Sequence, residues 1–165
     1  MIIRFVLAAA TVASLALAAA PSRADEAHDS AAIRGLMKGQ FERPEAPLAV
    51  DPLVVLGDHA LAGWIQGDMG GRALLGKRHG KWTILFCSGD ALKSAKTLTE
   101  LGIAKEAAAK LEAELAAAEG KMEPARRAML SRFDGLVKIG EDGHHPPAHG
   151  QHPPQHGPKK DGHEH

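Results

Sequence analysis

The stretch from Val50 to Asp90 constrains the fold most, because it strings together runs of strand-forming residues separated by glycine-containing turns. Gly57-Asp58 is a signal for a tight two-residue reversal, and the later connections, Gly67–Gly71 and Lys77–Lys81, are also short. Connections of this length join antiparallel neighbours. The stretch therefore predicts a four-stranded antiparallel meander with strands at Leu53–Leu56, His59–Gln66, Arg72–Gly76 and Trp82–Cys87.

Helical patterns flank this meander on both sides. Before it, Asp25–Phe41 carries apolar residues three and four positions apart, which predicts an amphipathic helix with Asp29 or Ser30 at its start. After it, the alanine-, glutamate- and lysine-rich sequence predicts three helices: one ending near Gly102, then 104–119 and 125–133. A last strand is an option within 135–140.

The predicted fold class is α+β, with an N-terminal helix, the four-stranded meander and C-terminal helices packed on the sheet, similar to cystatin-like or NTF2-like folds. Trp82, Ile84 and Phe86 share one face of their strand, but Leu85 and Cys87 on the other face are apolar too. A strand with two apolar faces predicts that both faces of the sheet are at least partly covered.

The two ends of the chain differ from the centre in composition and sequence pattern. Residues 1–24 have a positive residue, an alanine-rich apolar run and a small-x-small site, which predicts a signal peptide cleaved after Ala24. The signal peptide would direct export to the periplasm, and its cleavage would leave no membrane anchor. A single α+β domain at 25–140 then follows, and its one cysteine excludes an intrachain disulfide.

The C-terminal segment 141–165 holds seven of the ten histidines and five of the ten prolines. It has no large apolar residue, so it cannot bury enough surface to offset chain entropy, and the composition predicts a disordered tail. A heptapeptide is repeated in tandem within it, at 145–151 and 152–158.

Imidazole is a ligand for copper, zinc and nickel, and sites of nitrogen ligands favour Cu(II) among the common divalent ions. The predicted metal ligands in the tail are His144, His145, His149, His152, His156, His163 and His165. His145 and His149 would stand about 12 Å apart in a polyproline II chain, so the sites should be loose, while His163-Glu164-His165 is the better local chelate. The alternative is a solubilising linker that binds no metal.

Two sulfur ligands in the central stretch complete the candidate set. Met69 and Cys87 are soft donors of the kind that select Cu(I). Cys87 also fits a small buried hydrophobic residue. His28, His59 and His79 are interpreted as surface residues.

Other function classes find little support in the residues. The mature chain would lose Arg4 and Arg23 and keep 18 basic against 20 acidic residues, without the basic stripe that nucleic acid requires. Asp58, Asp68 and Asp90 each follow a glycine, which turn chemistry explains without catalysis. We therefore predict no catalytic residues, and no enzyme.

Three blocks of the central stretch resemble one family. Residues 55–64, 66–75 and 82–92, with Ala118-Glu119, Pro124–Arg126 and Ser131–Phe133 further on, look like the copper uptake system-associated protein family of small exported bacterial proteins. The resemblance implies copper as cofactor and an accessory role in periplasmic copper supply, beside a copper chaperone or a membrane copper transporter. It supplies no ligand set.

A second class of function remains open from the sequence. In this alternative the protein is a small-ligand-binding module with a helix-on-sheet pocket beneath Trp64 and Trp82. The tail would then only buffer metal.

Overall fold

The computed structural model describes residues 23–139, which form one antiparallel sheet with helices on both of its faces. The predicted signal peptide, apart from Arg23 and Ala24, and the predicted tail lie outside these residues. The elements in chain order are α1 (Arg23–Phe41), β1 (Leu48–Leu56), β2 (His59–Gln66), β3 (Met69–Arg78), β4 (Lys81–Ser88), a 3-10 turn (Ala91–Lys93), α2 (Ala95–Glu100), α3 (Lys105–Glu119), α4 (Pro124–Met129) and β5 (Leu136–Lys138).

The α+β class and the antiparallel meander are confirmed, and the sheet has a fifth strand beyond the predicted four, in the order β1-β2-β3-β4-β5. This strand falls within 135–140, where the sequence allowed a last strand. The three residues of β5 pair with Phe86–Ser88 at the edge of β4. So short a strand has little signal of its own, because its stability comes from pairing with a distant partner.

Three two-residue turns join the first four strands, at Gly57-Asp58, Gly67-Asp68 and His79-Gly80. The prediction for β2 is confirmed residue for residue, while β1, β3 and β4 are longer than predicted. The prediction of a five-residue turn at Gly67–Gly71 is wrong, since Met69–Gly71 already pair with β2. Glycine spacing marked the turns but not how far the ladders extend past them.

Two of the helices differ from their predicted bounds. α1 begins at Arg23, so Asp29 and Ser30 lie inside it and do not cap it. α4 ends at Met129, not at Phe133. The chain leaves the helix there because Leu130–Gly135, the segment we call the C-terminal loop, is held against the sheet by contacts described below.

The two faces of the sheet carry separate hydrophobic cores, so the prediction that both faces are covered is met. The faces predicted for Phe86 and Cys87 are wrong, because the extra residue Leu85 shifts the alternation of β4: Cys87 packs with Trp82 and Ile84, and Phe86 packs against the opposite cluster. On one face α1 packs Ile33 and Met37 against a cluster that includes Leu75 and Cys87. On the other face α2 and α3 pack Leu98, Leu111 and Leu115 against Leu61 and Leu74. Helices on both sides bury β3 almost completely.

Candidate functional site

The seven predicted tail ligands lie outside the residues that the structure describes, so they stay a prediction. Within 23–139, no group of three or more His, Cys, Asp or Glu side chains is arranged to hold a metal ion. The two sulfur candidates, Met69 and Cys87, do lie within the described residues, and their placement is informative.

Met69 is an exposed residue at the first position of β3. The residue is 47% exposed, and its backbone pairs with Gln66 across the turn. Met69 falls within the turn predicted at Gly67–Gly71, but it lies in a strand and not within the turn itself. It is therefore accessible to a metal ion or to a partner surface.

Cys87 is buried in the core that α1 covers, where only 4% of the residue is exposed. It pairs with Ala73, which lies four residues along β3 from Met69. Four strand residues span roughly 13 Å, whereas two sulfur ligands of one ion lie within about 5 Å of each other. The structure does not bring the two sulfurs together.

Burial also controls the chemistry of Cys87. Desolvation raises the pKa of the thiol to about 12, because the charged thiolate is disfavoured in an apolar environment. The thiolate is the form that binds soft metals. The geometry therefore favours the interpretation of Cys87 as a small core residue.

We expect Cys87 to react with DTNB at pH 8 at least about 100-fold more slowly in the folded protein than in urea, because folding removes the thiolate and blocks access. Stopped-flow absorbance measures both rates. Equal rates would show that the thiol is accessible and would restore it as a candidate ligand.

A buried carboxylate on α1 forms a second constellation, which the sequence analysis missed. Asp29 is 8% exposed and accepts hydrogen bonds from Lys77 Nζ at 2.8 and 3.0 Å and from the indole N–H of Trp82 at 3.0 Å. The Lys77 ammonium also lies 5.6 Å from the centre of the Trp82 ring. We call these three side chains the Asp29 cluster. They hold α1 against the end of β3 and the start of β4, beside the turn that joins the two strands.

The Asp29 cluster predicts a pH dependence of stability. The hydrogen bond from Lys77 lowers the pKa of Asp29, against an opposing contribution from burial, and the Trp82 hydrogen bond lowers it further. A lowered carboxylate pKa in the folded state stabilises the fold fully above the unfolded-state pKa of about 4, and this contribution is lost as the pH falls through the folded-state value.

Asp29→Asn should therefore lower the free energy of unfolding at pH 7 by about 1–2 kcal/mol, and the difference from the wild type should shrink at acidic pH, below about 4. Urea unfolding at a series of pH values measures it. A difference that stays constant down to pH 2.5 would contradict the assignment. Glu26→Gln is the matched control, since Glu26 is exposed on the same helix.

The most buried charge in the described chain is Arg72, at the centre of β3, where 1% of the residue is exposed. Its Nε–H and Nη2–H donate to the two carboxylate oxygens of Glu119 at 2.6 and 2.8 Å. Its Nη1 donates to the carbonyls of Gly89 and Leu130 at 2.9 and 3.1 Å, and to Asp90 Oδ1 at 3.3 Å. We call these groups the Arg72 cluster.

All three nitrogens of the Arg72 guanidinium contact protein acceptors, since Glu119 occupies the fork formed by Nε and Nη2 and three oxygens surround Nη1. The Arg72 cluster therefore holds structure together and offers no open donor fork to an anionic ligand. The sequence signal for it was a single arginine within Gly-Gly-Arg-Ala-Leu-Leu, a run whose other residues are all small or apolar.

The three Gly-Asp pairs lie in turns or just before one. Asp58 and Asp68 occupy hairpin turns, and the Asp68 carbonyl accepts a hydrogen bond from Arg132 at 2.7 Å. Asp90 precedes the 3-10 turn and accepts a hydrogen bond from Ser131 Oγ at 2.7 Å. That bond is the main cause of the lowered pKa of Asp90, with Lys93 and Arg72 adding to it.

Both tryptophans are packed against protein groups. Trp82 belongs to the Asp29 cluster, and Trp64 meets Phe133 edge to face with ring centres 5.7 Å apart. The indole N–H of Trp64 is buried and has no hydrogen-bond acceptor among residues 23–139.

Within the described part of the chain, no helix has both the length and the apolar character that crossing a membrane requires. No family model, no curated protein and no solved structure matches the chain.

Proposed function

We propose that this protein is an exported, periplasmic accessory protein of copper uptake or handling, and that it binds copper through its histidine-rich segment 141–165. The observation that carries the proposal is the placing of seven of the ten histidines within these last 25 residues. Imidazole ligands favour Cu(II) over Ni(II) and Zn(II) by the general order of divalent affinities, so zinc and nickel are the competing ions.

The contacts within residues 23–139 support a structural role for this domain and a metal-binding role for the tail. Within each of the Asp29 and Arg72 clusters, the charged groups bind one another. Cys87 is a buried thiol with a raised pKa. Met69 is the accessible soft ligand, exposed beside the β2–β3 turn. Residues 23–139 would then carry the tail and present a surface to a partner, for which a copper chaperone or a membrane copper transporter is the proposed class.

The resemblance to the copper uptake system-associated family supports the same proposal. So does the predicted signal peptide, which would deliver the chain to a compartment where free copper is handled. The comparison with cystatin-like or NTF2-like folds stays a prediction, supported by the packing of α1 across one face of the antiparallel sheet.

Copper titration tests the proposal. The mature chain 25–165 is titrated with Cu(II) beside a variant of the same length in which the seven tail histidines are replaced by glutamine, and beside a chain ending at Gly140. We expect both variants to lose most of the bound copper, since they lack the imidazoles that titrate near pH 6.5, and wild-type loading to weaken below that pH. Equal stoichiometry in all three would remove the tail from the proposal.

One observation favours the small-ligand alternative, namely the buried Trp64 N–H without an acceptor in the described residues. A ligand with an acceptor oxygen would satisfy that donor. Thermal-shift screening of small carboxylates and amides tests this, with Trp64→Phe as the variant that removes the donor. Stabilisation of the wild type that disappears in Trp64→Phe would support the alternative.

A further inference from the structure

Strand β1 forms one edge of the sheet in the described part of the chain, because β2 is its one neighbour in the strand order. An edge strand leaves the backbone groups on its outer side unpaired, and these groups can bind a further strand. Charged residues, prolines and bulges usually protect such edges. In β1 the register shift and Pro52 lie before Leu53, so the run Leu53–Leu56 has none of these protections.

The β1–β2 turn determines which backbone groups of this run point outward. In a hairpin with a two-residue turn, the residues that flank the turn exchange hydrogen bonds, and bonded and non-bonded pairs then alternate along the strands. Leu56, which flanks the turn, and Val54 therefore bond to β2. The N–H and C=O groups of Leu53 and Val55 point away from β2, toward the open edge.

The β2–β3 turn gives the same assignment independently. Gln66 flanks that turn, so Ala62 and Ala60, counted back along β2 in steps of two, bond to β3. These two alanines stand opposite Leu53 and Val55, whose backbone groups therefore have no partner on β2. Within residues 23–139, no backbone group outside the sheet bonds to them either.

The side chains beside these backbone groups are apolar and only partly covered. Leu53 and Val55 lie at the margin of the core that α1 covers, and Leu56 lies at the margin of the core that α3 covers. All three residues are partly exposed. A strand added at this edge would bond to both outward amides and would cover these side chains, as in β-augmentation.

Two exposed carboxylates bracket the run, Asp51 before it and Asp58 after it, and no charged residue lies between them. Neither carboxylate forms a hydrogen bond or an ion pair with another group of residues 23–139. An extended partner with a basic residue toward each end would place opposite charges beside both carboxylates, which stabilises strand pairing.

A second copy of this chain fits the edge less well. An antiparallel pair of two such edges centred on Val54 would set Asp51 of each copy opposite Gly57 of the other, beside Asp58. Like charges at neighbouring positions of paired strands destabilise the pair. The charges therefore favour a basic partner over self-association.

We infer that the outer edge of β1 at Leu53–Leu56 is a docking site for an extended protein segment with apolar residues at alternate positions and a lysine or arginine toward each end. The inference goes beyond the proposed function, because it needs neither copper nor a histidine. Binding would add a strand to the sheet on the far side of β1 from β2.

Two synthetic peptides test the inference with the 15N-labelled mature chain 25–165. Both are blocked at their termini and alternate valine with threonine, but one has a lysine at each end and the other a glutamate at each end. Amide hydrogen exchange followed by NMR reports on the outward groups of Leu53 and Val55. Chemical-shift titration gives the Kd of each peptide.

We expect the lysine-ended peptide to slow amide exchange at Leu53 and Val55. Exchange at Val54 and Leu56 should stay unchanged, since their amides already bond to β2, and these two residues serve as the internal control. The glutamate-ended peptide should bind about fivefold or more weakly, because two favourable charge pairs are lost.

A double variant, Asp51→Asn with Asp58→Asn, should bind the two peptides with about equal affinity, since it removes the charges that distinguish them. Glu123→Gln with Asp134→Asn is the matched control. It makes the same change of charge in the segment that leads to β5, at the opposite edge of the sheet. This control should keep the wild-type preference for lysine ends.

Slow exchange at Leu53 and Val55 without any peptide would overturn the inference, because the edge would already be occupied, and sedimentation would show whether a second copy is the occupant. Equal affinity of the wild type for both peptides would also overturn it. So would a lysine-ended peptide that does not bind, or one that protects amides outside β1. None of these results would bear on copper binding.

Discussion

Replacing Arg72 by methionine is expected to lower the free energy of unfolding by about 3–5 kcal/mol, because it leaves the buried Glu119 carboxylate without its charged partner. Glu119 is 4% exposed and is the last residue of α3. A carboxylate at a helix C-terminus also meets the negative end of the helix dipole, so the guanidinium offsets two unfavourable contributions. Urea denaturation at pH 7, followed by circular dichroism, measures the change.

Two further variants separate the reasons for this loss. Arg72→Lys keeps the charge but loses the planar fork that meets both carboxylate oxygens, so it should fall between the wild type and Arg72→Met. Lys96→Met is the matched control, since Lys96 forms an exposed pair with Glu100 on α2 and such pairs contribute about 0–1 kcal/mol. A loss in Arg72→Met no greater than in Lys96→Met would contradict the role given to the Arg72 cluster.

Replacing Gly89 by alanine is the second large expected effect, with a loss of about 2–4 kcal/mol from overpacking and broken hydrogen bonds. A Cβ at this position would lie 2.5 Å from the Phe133 carbonyl oxygen and 3.2 Å from that of Ser131. Both are backbone atoms of the C-terminal loop, which cannot yield by a side-chain rotation. The loop would have to move as a unit.

Movement of the C-terminal loop would disturb several contacts at once. Arg72 donates to the Leu130 carbonyl, Ser131 Oγ donates to Asp90, and Ser88 Oγ donates to the Gly135 carbonyl at 2.7 Å. We therefore expect Gly89→Ala to weaken the pairing of β5 as well, which amide hydrogen exchange of residues 136–138 would report. Unchanged exchange with unchanged stability would show that the loop accommodates the methyl group.

Gly35→Ala is the matched control for Gly89→Ala. Gly35 lies exposed within α1, where a Cβ would meet no atom within 4 Å. Alanine is favoured over glycine in a helix interior by about 0.5–1 kcal/mol, so this variant should be slightly more stable than the wild type. If the free energy of unfolding falls in Gly89→Ala and rises in Gly35→Ala, the steric effect is separated from the loss of glycine's flexibility.

The sequence by itself determined the local elements and the α+β class. Glycine-containing turns placed β2 at its observed bounds, and the Gly102 and Gly120 breaks bounded α2 and α3 closely. These predictions succeed because turn chemistry and helix propensity act over a few neighbouring residues. The histidine content of 141–165 is likewise a property of the sequence alone.

Only the tertiary structure decided which distant residues meet. Arg72 and Glu119 are 47 positions apart, Lys77 and Asp29 are 48 apart, and β5 exists only where β4 offers an edge. No local pattern encodes such pairs, because their energies arise from burial and mutual desolvation that appear only when the sheet and helices are packed. For the same reason, the pairing of β5 with Phe86–Ser88 of β4 could not be predicted from the local sequence.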